Sequence, residues 1–184
     1  YFMGDIKVGK RADSTTAIAR ASNSTAGTIT ASGRTAIDNV YSSVVYNGSL
    51  YVGTFEQDAA EIYRYDGNNV WTQVHTTDGN ICGATGVDGV AAMVVYGGYL
   101  YVGTTTTITT TGEAEICRYD GGTTWTRVST ATPGTIATSG RAAIDQIFKA
   151  VVVGGQLYFA TIETGATEVY RFDNSTGGFT QVTT

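Results

Sequence analysis

Apolar runs and glycine turns follow one another in a fixed order along residues 94–128, VVYGGYLYVGTTTTITTTGEAEICRYDGGTTWTRV. Two runs rich in Val, Tyr and Leu flank Gly97-Gly98, and two more, EICRYD and WTRV, flank Gly121-Gly122. Each run predicts a short β-strand. A Gly-Gly pair supplies the positive-φ residues of a two-residue hairpin turn, so the first two strands are expected as antiparallel neighbours. Successive apolar residues such as Val94-Val95-Tyr96 predict burial on both faces of those strands. Helix signals are almost absent. The best of them, AAIDQIFKA at 142–150, reads as loop entering a strand, because the equivalent stretch 87–93 contains Gly89 and β-branched residues.

The same order recurs at 44–74 and 151–182, with Asn47-Gly48 and Gly154-Gly155 at the first turn and Asp66-Gly67 and Asp173-Asn174 opening the third. Landmarks keep their places: Tyr51, Tyr101 and Tyr158; Glu61, Glu115 and Glu168; Arg64, Arg118 and Arg171; Asp66, Asp120 and Asp173; Trp71, Trp125 and Phe179. The second connection varies in length and holds a Thr run at 105–112, as an exposed loop does. Residues 11–38 align without a gap on 118–145, and residues 2–4 fall where 101–103 lie, so a worn unit opens the chain partway, in its second strand. A period of about 50 residues is that of a propeller blade. The expected fold is therefore all-β: a β-propeller of four-stranded antiparallel blades, three complete and one partial. The units fall approximately at 1–28, 36–75, 86–129 and 143–184 of a single domain or propeller segment, 1–184. Such units cannot bury their faces alone, so closure of the ring is expected to need further chain or another subunit.

Composition agrees with many tight turns between short strands: only 15 % of residues are charged, and there are 24 Gly against one Pro. A net charge of -5 argues against a nucleic-acid backbone or an anionic membrane surface as partner. No apolar run approaches the roughly 18–20 residues that span a bilayer. The opening YFMGDIKVGK is not a signal peptide, and a chain that does not begin with Met is expected to be processed or a piece of something longer. Cys82 and Cys117 are too few for a disulfide scaffold and match no zinc spacing; with His75 the only histidine, no metal site of soft ligands is expected. Cys117 stands where other units have Tyr63 and Tyr170, as a small buried substitute for an aromatic, with a bridge to Cys82 as the alternative.

An apolar run, a Gly-containing turn, LYVG, then Tyr-Asp, a Trp five residues on and later an Arg before the next apolar run together resemble the kelch repeat over nearly the whole chain. The resemblance implies four-stranded blades around a central axis and a role as an interaction platform. Kelch repeats usually carry Gly-Gly after the second strand, where this chain has Gly53-Thr54, Gly103-Thr104 and Ala160-Thr161. Residues 120–125, DGGTTW, are similar to the Asp-box turn of sialidase-type blades, with Arg118 in place of its usual preceding Ser. In that family the box is a structural turn and implies no sialidase activity.

Glu-x-x-Arg recurs on each third strand. Residues three apart point to opposite faces of a strand, so ion pairs between blades, or a solvated edge, are expected rather than pairing inside the motif. Asp38, Asp88 and Asp145 each sit six positions before a first strand. In a propeller that strand lines the axis, and a ring of carboxylates at one mouth suits Ca²⁺, the one cofactor candidate; capping of loop amides is the alternative. Arg34 and Arg141 precede two of these Asp residues by four, while Ala84 stands at the third, which makes this uneven rim the leading binding surface. Trp71 and Trp125 offer stacking faces for sugar rings, or else pack between blades. No nucleophile elbow, HExxH or phosphate-binding glycine loop is present, so no catalytic residue is assigned and no enzyme is expected.

The leading functional expectation is a non-enzymatic binding or adhesion module, extracellular or surface-exposed, taking a glycan or protein ligand on its propeller-face loops, without nucleic acid or membrane insertion. A structural repeat segment of a fibre, particle or oligomeric assembly comes second. A sialidase- or glycosidase-type enzyme comes last, because every Arg and acid singled out recurs with the period.

Overall fold

The structure, a computed structural model, describes residues 20–22, 24–30, 34–106, 113–137, 141–173 and 178–183. Among them are twelve strands and no helix: β1 (Asn39–Tyr46), β2 (Ser49–Phe55), β3 (Ile62–Gly67), β4 (Val70–Gln73), β5 (Gly89–Tyr96), β6 (Tyr99–Thr105), β7 (Ile116–Gly121), β8 (Thr124–Arg127), β9 (Gln146–Val153), β10 (Gln156–Ile162), β11 (Val169–Asp173) and β12 (Gly178–Gln181). Every pairing is antiparallel. Consecutive strands pair within β1–β4, β5–β8 and β9–β12, giving three four-stranded meanders, called units 1, 2 and 3. Single residue pairs, Phe55 with Gly89 and Thr105 with Gln146, join them into one open sheet.

Local chemistry explains the meander. Asn47-Gly48 turns with φ of 48° and 78°, as a two-residue hairpin of this kind requires. Where the kelch pattern has its second Gly, Thr54, Thr104 and Thr161 extend the pairing of second and third strands. Their hydroxyls accept from the backbone amides of Glu61, Glu115 and Glu168 at 2.8, 2.8 and 3.0 Å.

Two expectations about the first strands need correcting. They begin directly after Asp38, Asp88 and Asp145, not six positions later, so the second half of AAIDQIFKA is already β9. Their opening halves were hidden by a β-bulge. Tyr41, Ala91 and Phe148 are each the extra residue between paired neighbours, and a bulge breaks the period-two signature of a strand. Burial on both faces holds for β2 and β6 but not for β1 or β9, which are largely exposed. Only β5 has a first strand packed on each side, β1 and β9. Beyond it the rings of Tyr41 and Phe148, from units 1 and 3, meet edge to face at 6.1 Å.

The core lies between units rather than within them. One layer joins Tyr51, Ile62 and Val74 of unit 1 and its trailing loop to Leu100, Val102 and Tyr119 of unit 2; a second joins Tyr101 and Ile116 to Leu157, Phe159 and Phe172. Gly53 and Gly103 make this approach feasible. A Cβ on Gly53 would lie 2.6 Å from Val90 Cβ, and one on Gly103 would lie 2.4 Å from Ile147 Cγ2. Trp125 Nε1 donates to the Val74 carbonyl across the first layer at 2.7 Å, and Trp71 Nε1 donates to Ala21 at the same distance.

Ala21 is the counterpart of Val74 in the worn unit, whose described remainder packs on unit 1 through Ile29. Its loop repeats the one before unit 3. Ile37 donates to Gly27 and Ile144 to Gly134, both at 2.9 Å, and Ala36 and Ala143 share left-handed φ values of 64° and 60°. Residues 2–4, Arg11 and the 107–112 part of the Thr loop lie outside the described residues.

Candidate functional site

The third strands carry the periodic charges. Arg64, Arg118 and Arg171 each pair with the Asp two residues on, at 2.6, 2.8 and 2.8 Å. Residues two apart share a strand face. The other oxygen of each Asp accepts from a fourth-strand hydroxyl, Thr72, Thr126 or Thr180. The expected Glu–Arg pairing between units is thus replaced by an Arg–Asp–Thr clamp within each unit. Hydrogen bonds from Arg64 and Thr72 hold Asp66 below the usual carboxylate range; at Asp120 burial pushes the other way, and Thr126 and Arg118 outweigh it.

Two of these clamps line a cleft of about 750 Å³ between units 1 and 2. Tyr46, Tyr51, Tyr99 and Tyr119 form its aromatic wall, with Ser49 and the Gly121-Gly122 turn at its edge. The Tyr46 hydroxyl ties unit 1 to the Gly98 carbonyl at 3.2 Å, and Tyr96 repeats the tie to Gly155 at 3.1 Å, so these rings are architectural. Tyr99 is different. It is exposed, the Arg118 guanidinium lies 4.9 Å from its ring centre, and its place is taken by Ser49 in unit 1 and Gln156 in unit 3. Sequence reasoning passed over Tyr99 because it sits inside a run read only as strand; its failure to recur was the signal.

The residues singled out beforehand lie elsewhere. Asp38, Asp88 and Asp145 precede the first strands, at the end opposite the hairpin turns that border the cleft, about 25 Å away along eight residues. Arg34 pairs with Glu56 at 3.6 Å and Arg141 with Glu163 at 4.0 Å, and the same two carboxylates accept from the amides of Asp38 and Asp145. Glu56 and Glu163 were not anticipated, although they exchange for Thr106 in the unit where Ala84 replaces the Arg. Asp88 is buried and accepts from the Asp58 amide at 2.6 Å. Burial and the neighbouring Glu163 raise the pKa of Asp145 against Arg141. Trp71 is buried and Trp125 half-buried, both in the layers between units.

Unit 2 anchors its loop covalently. Cys117, in the place of Tyr63 and Tyr170, is buried and bridged to Cys82 with Cα atoms 5.9 Å apart, realising the alternative left open by the sequence.

The Glu immediately before each third strand, buried in units 1 and 2 and half-buried in unit 3, meets a different environment in each unit. Glu115 lies 3.3 Å from Arg127 and accepts from Ser129 Oγ; burial raises its pKa to about 7 against these partners. Glu168 accepts from the Tyr170 hydroxyl at 2.5 Å and Gln181 Nε2 at 3.0 Å. Glu61 has His75 and Asp78 beside it instead. Among the described residues, these three are the His, Cys, Asp or Glu side chains whose ligand atoms converge, all within 4.8 Å of one another; the Asp38, Asp88 and Asp145 carboxylates do not form such a group.

No known protein family matches this chain, and no curated protein does.

Proposed function

We propose that the chain is a segment of a kelch-like β-propeller, with its units as blades, and that it serves as a non-enzymatic binding module holding a glycan in the cleft between units 1 and 2. The observation that carries this reading is Tyr99: an exposed ring that does not recur, backed by Arg118 and flanked by two Arg–Asp pairs. An aromatic face suits the C–H face of a sugar ring. Fixed guanidinium and carboxylate groups suit paired hydroxyls. Both cleft carboxylates have depressed pKa values, whereas a glycosidase needs one raised to act as acid, so binding without turnover is favoured. The Cys82–Cys117 disulfide favours an oxidising, extracellular or surface location.

A glycan array probed with the whole chain is expected to return hits that weaken by about tenfold in Tyr99→Gln, which installs the residue of unit 3. Empty arrays and empty pull-downs, or hits indifferent to Tyr99→Gln, would remove the reading. Turnover of a glycoside panel would favour an enzyme instead.

A structural role in a larger assembly is the second reading, favoured by the outer face of unit 3. Val151, Val153 and Val182 are exposed there, whereas their counterparts Val94, Tyr96 and Val128 pack into the layer between units 2 and 3. On this reading, light scattering detects association, and a stable free monomer would count against it.

A further inference from the structure

Units 2 and 3 each hydrogen-bond the Glu that precedes the third strand, through Ser129 in one and through Tyr170 and Gln181 in the other; unit 1 instead sets two potential ligands, His75 and Asp78, beside it. Glu61 is 0 % exposed, and neither of its carboxylate oxygens has a hydrogen-bond partner. The Tyr63 hydroxyl and the amide and guanidinium of Arg34 lie near enough to lower its pKa, but burial outweighs them and no hydrogen bond forms. His75 stands where units 2 and 3 have Ser129 and Thr183. Its Nδ1 lies 3.1 Å from the Thr77 carbonyl, a contact in which the nitrogen must be the donor, so the lone pair is on Nε2. Asp78 completes the group from an exposed position. Among the described residues, the Gln73 amide is hydrogen-bonded to the other two groups, 3.1 Å from His75 Nε2 and 2.8 Å from Asp78 Oδ1, and not to Glu61.

We propose that Glu61, His75 and Asp78 bind one divalent first-row transition metal ion, with Zn²⁺ the best fit. An imidazole and two carboxylates are ordinary ligands for Zn²⁺, whereas Ca²⁺ takes oxygen alone. The Thr77 carbonyl supplies the second-sphere contact that orients a ligating imidazole. Asp78 provides the entry path, and the Gln73 amide, now bridging His75 and Asp78, turns aside. Three protein ligands leave a position for water or for a group on a partner. Binding takes up Glu61 as carboxylate and His75 as neutral imidazole, the latter already favoured by burial.

The test is calorimetric titration of the chelator-treated full chain with ZnCl₂, and with CaCl₂ for comparison. One Zn²⁺ per chain is expected. His75→Ser and Asp78→Asn should each weaken it by at least about tenfold, while Glu115→Gln, in the same slot of unit 2, leaves it unchanged. Asp78→Asn alters an exposed side chain, so the test survives if His75→Ser fails to fold, which circular dichroism reports. No stoichiometric Zn²⁺, equal affinity in the wild type and Asp78→Asn, or Ca²⁺ binding as tight as Zn²⁺ would overturn the proposal.

Discussion

Glu61, Glu115 and Glu168 show how one periodic residue takes on three characters. The repeat made each Glu visible, but its partners come from the third strand, where Tyr170 reaches Glu168 and Cys117 replaces that ring in unit 2, and from the fourth strand and the loop after it, where Arg127, Gln181 and His75 differ in kind. The same lesson applies to the Arg–Asp clamps: period-two geometry was enough to pair Arg64 with Asp66, and attention to the Glu three residues away obscured it. A pH prediction follows from Glu115. Its carboxyl is raised from an ordinary 4.5 to about 7, so the folded state holds the proton more tightly. Its contribution is complete below about pH 4.5 and is lost as pH rises through about 7, a change of up to about 3 kcal/mol. Urea unfolding at pH 5 and pH 8 should therefore show a larger loss of stability in the wild type than in Glu115→Gln. Equal losses would contradict the assignment. At the disulfide, replacing Cys82 and Cys117 by Ala should cost about 2–4 kcal/mol by the same measurement, as expected for a 35-residue separation; an unchanged midpoint would mean that the bridge is dispensable.

Strand number, order and hairpin turns were legible because each depends on local chemistry: Asn-Gly or Gly-Gly at the first turn, Asp-Gly at the third, apolar runs between them. The starts of β1, β5 and β9 were not, because bulges at Tyr41, Ala91 and Phe148 interrupt the alternation there. The role of Gly53 and Gly103 was hidden for another reason. It depends on Val90 and Ile147 arriving from the next unit, which a run of LYVGT does not announce. Gly103→Ala is expected to destabilise the fold by about 1–3 kcal/mol, since the new methyl meets both the side chain and the carbonyl of Ile147. Gly98→Ala has open space around its new methyl but a φ of 82°, so it serves as a control for turn strain alone. Trp125→Phe keeps the ring, removes the donor to Val74 and should cost about 1–2 kcal/mol. Thermal or urea unfolding checks both; a neutral Trp125→Phe would mean that the indole acts through packing alone.

At the scale of the molecule, the repeat foretold that units would bury their faces against one another, and the core does lie between them. Even the worn unit was readable, because Arg20 onward keeps the glycine, the left-handed Ala36 and the carbonyl of Ala21 where the other units have theirs. The candidate sites were the least legible part. Arg34, Arg141 and the three Asp residues stood out by their spacing, yet Glu56 and Glu163 occupy those arginines; Tyr99 and His75 stood out only by failing to recur. How the units curve was not written in any single run. It rests on β5 lying between β1 and β9 and on Tyr41 reaching Phe148. That contact separates two arrangements of the same twelve strands. A flat ribbon in the observed strand order would hold β1 and β9 about 20 Å apart, whereas units converging on an axis bring them together. Tyr41→Cys with Phe148→Cys, treated with a short bismaleimide under native conditions, tests it directly. An intramolecular cross-link within the monomer is the predicted result. Two thiols that each react singly but never join would contradict the convergent arrangement.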